Sequence, residues 1–236
     1  MIPVIILAGG FGTRLQAVVP DRPKPLADVA GQPFLGWLLR YLEQQGITEV
    51  FLSVGYRREM ISDFFGTQLG KLTLSYVVEE SPLGTGGAIR LALDSCTGDE
   101  VLVLNGDTLA TLDLPELLAF FRQRQADIGI AAAQVPDTAR YGGIEIGADQ
   151  RVLAFSEKGQ AGPGLINAGV YVLRRQALLD LAPPGAFSFE QDILQKHLKT
   201  LGIYACPTVS DFIDIGVPED YARAQDAVPT FIARAV

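Results

Sequence analysis

The sequence predicts an α/β fold, a three-layer sandwich in which a mixed, mostly parallel central sheet carries helices on both faces. Three observations predict it. Short apolar runs recur along the 236 residues, stretches with helical spacing separate them, and glycine-rich turns follow two of the runs. A run apolar at every position suits a strand buried on both faces, as a parallel strand between helical layers is.

The first run, Pro3-Val4-Ile5-Ile6-Leu7-Ala8, predicts a strand over 4–8. It lacks a basic leader and is far too short to span a bilayer. Further strands are expected at 49–54, 74–78, 100–105, 127–133, 143–146, 152–156, 168–173 and 203–207. Helices are expected at 34–45, 57–65, 87–92, 115–125, 175–181, 189–198 and 218–226. In the first of these helices Leu35, Leu38, Leu39 and Leu42 form one apolar stripe at i, i+3, i+4 and i+7. After residue 140 the strands are shorter and less often separated by helix, so the sheet is expected to be mixed there. Gly159-Gln160-Ala161-Gly162-Pro163-Gly164 is too short for a linker, and a single domain over 1–236 is expected.

A net charge of −8 excludes non-specific nucleic-acid binding, which needs a basic face. A small anionic ligand remains compatible, because a few cations plus a divalent ion create a local positive site. Cys96 and Cys206 have neither metal-ligand spacing nor a disulfide framework around them. With no targeting or membrane segment in view, a cytoplasmic location is expected.

Leu7-Ala8-Gly9-Gly10-Phe11-Gly12-Thr13-Arg14-Leu15 follows the first strand directly. Glycines let the backbone approach phosphate oxygens and aim successive N–H groups at them. A dinucleotide fingerprint needs a third glycine where Leu15 stands, and no Gly-Lys-Ser/Thr tripeptide occurs. Arg14 instead offers a permanently charged fork for bidentate phosphate contact. In Pro23-Lys24-Pro25 the flanking prolines are expected to hold an extended backbone that presents Lys24 as a point charge.

Together these stretches resemble the signature of the sugar nucleotidyltransferases: an apolar strand, Ala-Gly-Gly-x-Gly-Thr-Arg-Leu, then Pro-Lys-Pro. The resemblance runs through the whole chain. It implies a Rossmann-like fold of the nucleotide-diphospho-sugar transferase type, with residues 1 to about 110 binding the nucleotide and the remainder mainly the sugar. It implies nucleotide contacts at Leu7, Ala8, Gly9, Gly10, Gly12, Thr13, Arg14 and Lys24. Further contacts are implied along Glu79-Glu80-Ser81-Pro82-Leu83-Gly84-Thr85, namely Glu79, Glu80, Pro82, Leu83, Gly84 and Thr85. Guanine presents adjacent N–H donors that one ionised carboxylate can accept together, so a glutamate here leans toward GTP; Glu79 is favoured over Glu80 by its spacing to Gly84.

Asn105-Gly106-Asp107 closes the fourth expected strand, where α/β sheets place ligands. Gly106 and Asp107 are expected at the nucleotide, and Asp107 as a carboxylate for Mg²⁺, which keeps waters and phosphates among its ligands. Its partner is expected to be Asp214 in Asp211-Phe212-Ile213-Asp214-Ile215-Gly216-Val217-Pro218, with Asp211 as the fallback. On the sugar-phosphate side the resemblance implies Tyr141, Gly142, Glu157, Lys158, Asn167, Ala168, Gly169 and, less directly, Glu190. Arg14, Lys24, Asp107 and Lys158 are expected to carry catalysis. The expected reactants are GTP or another nucleoside triphosphate and a sugar 1-phosphate, with no nucleic acid and no membrane, in a possible homo-oligomer. Val18-Val19-Pro20-Asp21, Ser53-Val54-Gly55-Tyr56 and the run from Phe212 to Tyr221 most resemble guanylyltransferases of D-glycero-α-D-manno-heptose 1-phosphate, which serve capsule or surface-layer glycans. Mannose 1-phosphate guanylyltransferases and amino-sugar 1-phosphate uridylyltransferases are the alternatives, and a catalytically silent nucleotide-sensing subunit is the alternative from another class. His197, the sole histidine, receives no role.

Overall fold

The computed structural model describes residues 2–10, 12–159 and 161–235. In chain order the strands are β1 (Val4–Leu7), β2 (Asp28–Val29), β3 (Gln32–Pro33), β4 (Glu49–Val54), β5 (Gln68–Leu69), β6 (Leu72–Val78), β7 (Glu100–Asn105), β8 (Thr108–Thr111), β9 (Ile128–Val135), β10 (Ile144–Ile146), β11 (Val152–Phe155), β12 (Gly164–Arg174), β13 (Ile203–Val209) and β14 (Asp211–Asp214). The α-helices are α1 (Phe34–Gln44), α2 (Arg58–Phe65), α3 (Gly84–Leu93), α4 (Leu114–Gln123), α5 (Arg175–Leu181) and α6 (Pro218–Arg234). A one-turn 3₁₀ helix spans Lys24–Leu26, and a π-helix spans Phe189–Gln195.

Strand alternation divides the interior into two cores, one on each face of the main sheet. Val4 and Ile6 of β1 and Leu102 and Leu104 of β7 pack with the apolar stripes of α1, α2, α4 and α6. Ile5, Val101 and Val103 point the other way and pack with α3, α5 and the π-helix. This is the expected three-layer sandwich: the central strands β1, β4 and β7 bury both faces, which is why their sequences are mostly apolar.

The sheet is mixed as expected. β6, β4, β1 and β7 run parallel, and then β12 pairs antiparallel with both β7 and β9. The parallel block places the ends of β1, β4, β6 and β7 on one rim, where Gly9, Gly55, Glu79 and Asp107 follow them.

Several boundaries differ from expectation. The helix expected at 218–226 continues to Arg234 through Pro229. Ala224, Val228 and Ile232, spaced by four, are all buried beneath it, and that burial outweighs the backbone bond lost at the proline. The helix expected at 189–198 is a π-helix over Phe189–Gln195; such wide turns are rare and concentrate at functional sites. Lys24 opens a 3₁₀ turn instead of lying in extended backbone: Pro23 is extended (φ −66°, ψ 150°), and Leu26 N–H then donates to Pro23 O at 2.8 Å. A fixed proline φ suits the start of a helical turn as well as a strand. β8 and β14 were not expected as strands, and they pair with each other in a separate antiparallel ribbon.

Among the described residues no helix is long and apolar enough to cross a membrane.

Candidate active site

The two glycine-rich turns and the ends of β4, β6 and β7 enclose a cleft of about 620 Å³. Leu7, Gly9, Gly10, Glu79, Glu80, Pro82, Gly84, Thr85 and Asp107 line it, together with Gly55, Tyr56, Arg58 and Asn105, which were not expected as contact residues. α3 begins at Gly84, three residues earlier than expected, so the positive end of its dipole opens on this cleft.

Glu79 and Glu80 separate cleanly. Glu80 is exposed and ion-paired to Arg58 at 3.2 Å. Glu79 is half-buried; its Oε1 accepts from Ser53 Oγ at 3.0 Å and its Oε2 from the Leu83 N–H at 3.3 Å. Gly9 passes close beside it: a Cβ there would stand 2.5 Å from Glu79 Oε1 and would push the carboxylate off its partners. The anchored carboxylate is therefore Glu79, the one favoured by spacing.

Some expected contacts lie off the cleft. Ala8 is buried, and its N–H donates to Ser53 O at 2.8 Å. Leu83 acts through its backbone on Glu79. Gly106 is buried, with its N–H on Leu7 O at 2.9 Å. Thr85 lines the cleft, but its Oγ accepts from the Phe189 N–H at 2.9 Å, tying the loop to the π-helix. Thr13 and Arg14 are exposed in a series of turns with no helix following, and Arg14 pairs with no described carboxylate.

At the rim beside Asp107 three charges meet. The Lys24 ammonium lies 2.5 Å from Asp107 Oδ2 and 3.9 Å from Asp214 Oδ1. The unexpected β8–β14 ribbon creates this meeting, because it pairs Thr108 with Asp214 and so sets residue 214 beside residue 107. Ile215 N–H donates to Asp107 O at 3.0 Å and pins the junction. Asp211 sits at the other end of the ribbon, paired with Thr111 and Arg234, so the fallback ligand is excluded by register. Gly12, at φ +60°, passes so close to Lys24 that a Cβ would meet the Lys24 Cβ at 2.9 Å.

A second cavity of about 450 Å³ gathers Tyr141, Gly142, Glu157, Lys158, Asn167 and Glu190. Glu157 and Lys158 are exposed on it, Lys158 pairing with no described carboxylate. Asn167 donates to Tyr171 Oη at 2.7 Å and to Glu190 Oε1 at 3.3 Å, while its Oδ1 accepts from the Gly169 N–H at 3.0 Å. Ala168 and Gly169 do not line this cavity. Ala168 is fully buried in the core, because alternation along β12 turns it inward. Gly169 packs against the Asn105 amide, where a Cβ would stand 2.5 Å from Nδ2, so the second cavity's strand abuts the wall of the cleft.

The sequence pattern of the nucleotidyl transferase family matches residues 3–230. The chain belongs to that family. It is 41% identical over 228 residues to the D-glycero-alpha-D-manno-heptose 1-phosphate guanylyltransferase of Aneurinibacillus thermoaerophilus, covering 97% of this chain and 99% of that one. A mannose-1-phosphate guanylyltransferase of Mycobacterium tuberculosis is 37% identical over 228 residues, covering 94% of this chain and 63% of that one. Among solved structures, HddC from Yersinia pseudotuberculosis complexed with GMP-PN superposes with a TM-score of 0.86 at 40% identity, over 96% of this chain and 99% of that chain.

In this nucleotidyl transferase Lys24 faces both carboxylates, and a guanidinium nitrogen of Arg140 lies 3.7 Å from Asp214 Oδ2. Burial raises the Asp214 carboxyl above its usual range, and the Asp107 charge adds to the rise; Lys24, the Gly216 amide and Arg140 oppose it. Among the described residues no group of three or more His, Cys, Asp or Glu side chains is placed to hold a metal. Two carboxylates on a rim that opens to a glycine-lined cleft nevertheless fit a hard cation that takes its remaining oxygens from water and phosphate. Asp107 and Asp214 fit Mg²⁺ on those grounds.

Proposed function

We propose that the chain is a guanylyltransferase that joins GTP to D-glycero-α-D-manno-heptose 1-phosphate, forming GDP-heptose and releasing pyrophosphate. The single observation that carries the reading is Lys24 held between Asp107 and Asp214 where the glycine-lined cleft reaches the strand ends. The 41% identity to a named heptose 1-phosphate guanylyltransferase supports the choice of sugar and base. A chain that had become a silent sensor would have no need to retain Arg14, Lys24 and both aspartates in this register.

The chemistry needs no covalent intermediate. A sugar-phosphate oxygen is already an anionic nucleophile, so the protein's task is to align it with the α-phosphorus and neutralise charge. The glycine-rich loop offers backbone N–H groups to the triphosphate, and Lys24 supplies a fixed ammonium beside it. Glu79 accepts from the guanine edge. Lys158 holds the sugar phosphate, with Glu157, Asn167 and Glu190 at the hydroxyls. When bound, Mg²⁺ on Asp107 and Asp214 would neutralise phosphate charge. We place the reaction in the cytoplasm and its product in the supply of a capsule or surface-layer glycan.

Mannose 1-phosphate is the second reading, favoured by the 37% identity to the mycobacterial enzyme. Pyrophosphate release measured with four nucleoside triphosphates against heptose, mannose and N-acetylglucosamine 1-phosphates separates these readings. Turnover with GTP and the heptose phosphate is expected; turnover confined to UTP, or none with any pair, would refute the proposal.

A further inference from the structure

Arg140 was not singled out from sequence, yet it touches the groups that matter on both sides of the site. It precedes Tyr141 and Gly142 of the second cavity. One terminal nitrogen lies 3.7 Å from Asp214 Oδ2 and 3.5 Å from the Asp214 carbonyl oxygen. The other is paired with Asp220, a buried carboxylate in the first turn of α6 that Arg223 also approaches at 3.1 Å. The Arg140 guanidinium stacks over the Tyr141 ring, 5.0 Å from its centroid. That ring in turn meets Phe212 edge-on, with centroids 5.3 Å apart and planes at 85°. Phe212 belongs to β14, the strand that ends in Asp214.

Two routes therefore connect the wall of the sugar cavity to the cation-holding aspartate. One runs through the Arg140 fork and the other through the Tyr141–Phe212 ring pair. A solvated arginine at a loop end satisfies neither description; this one lies over an aromatic face and is divided between two carboxylates. Its position explains how a β14 carboxylate with few other side-chain contacts is kept on one bearing. The Gly216 N–H holds Asp214 Oδ1 at 2.6 Å, which leaves Oδ2 to be set by Arg140.

We infer that Arg140 is a positioning residue that orients Asp214 and, through Tyr141, couples occupancy of the sugar cavity to affinity at the cation site. The inference rests on the guanylyltransferase reading and deepens it. A sugar phosphate that seats the Tyr141-Gly142 turn also fixes the Arg140 fork, and with it Oδ2. By thermodynamic linkage the cation must strengthen sugar-phosphate binding by the same factor.

The test is a Mn²⁺ titration followed by the free-ion paramagnetic resonance signal, with the protein alone and saturated with D-glycero-α-D-manno-heptose 1-phosphate. Wild-type protein, Arg140→Met and Arg140→Lys are compared. The sugar phosphate is expected to tighten Mn²⁺ on the wild type by roughly fivefold or more, within the usual range of coupled sites. Arg140→Met should lose that factor, and Arg140→Lys should retain only a minor part, since it keeps the charge but not the fork. In steady-state assays Arg140→Met should lower kcat and raise the KM for sugar phosphate while leaving the KM for GTP unchanged. A merely structural arginine would lower Tm without touching the coupling factor. Wild-type protein without coupling, or Arg140→Lys with full coupling, overturns the inference; the lysine variant decides the matter even where the methionine variant does not fold. Wild-type protein that turns over no sugar 1-phosphate sinks the functional reading instead, which keeps the two failures distinct.

Discussion

Glu79→Gln tests base recognition with little disturbance to the scaffold. Both oxygens of Glu79 are held, Oε1 by the Ser53 hydroxyl at 3.0 Å and Oε2 by the Leu83 N–H at 3.3 Å. The Leu83 N–H can only donate, so a glutamine must turn its oxygen toward it and its NH₂ toward Ser53. Ser53 Oγ can reverse its role and accept. The isosteric side chain therefore fits, and stability should change by less than about 1 kcal/mol. The ligand edge is different. A carboxylate offers lone pairs on both oxygens to the N1–H and N2–H of guanine, whereas the amide opposes one of them with a donor. One charge-assisted hydrogen bond is worth about 1.5–3 kcal/mol, so kcat/KM for GTP should fall roughly 10- to 150-fold. Uracil presents a donor and an acceptor and suffers no such mismatch. The assay is coupled pyrophosphate release with GTP and UTP in parallel, against wild type. A GTP-to-UTP preference that stays within about threefold of wild type, a difference below 1 kcal/mol, would show that Glu79 does not read the base.

Other outcomes are expected. Lys24→Met and Asp107→Asn should each lower kcat by about 10²–10³-fold, the usual effect of removing one electrostatic group, with unchanged circular dichroism. Gly12→Ala forces a side chain into φ +60° and against Lys24 Cβ at 2.9 Å; it should cost about 1–3 kcal/mol in chemical denaturation and reduce turnover as well. Burial pushes the Cys96 thiol up to about 12 and the Cys206 thiol up to about 11. Both should stay protonated and unreactive to Ellman's reagent at pH 8, reacting only in guanidinium. Their folded pKa values are raised, so the stability they contribute is intact below the unfolded thiol pKa and declines as pH climbs from about 9.

The parallel half of the sheet was legible because its signals are local. β7 lies where the run from Glu100 to Asn105 places it, and β1 and β4 match within a residue, since strands buried on both faces cannot hide their composition. Glu79 could be preferred over Glu80 from spacing alone. The β8–β14 ribbon left no such trace. Thr108-Leu109-Ala110-Thr111 is too short to show a period, and its partner lies about a hundred residues away, so pairing is decided only when the chain is folded. The same blindness hid Arg140, whose importance depends on Asp214 and Asp220 arriving from a distant segment. Ala168 was misplaced for a simpler reason: a run of strand residues alternates sides, and contacts implied for neighbours cannot all face one cavity.

The late arrival of Asp214 has a consequence for biosynthesis. A nascent polypeptide that has emerged only through β13 already carries its glycine loop, Lys24 and Asp107, yet the acidic pair still lacks its second member. β14 is the last strand to be translated, so Asp214 joins Asp107 only when all but the final helix of the described fold has emerged.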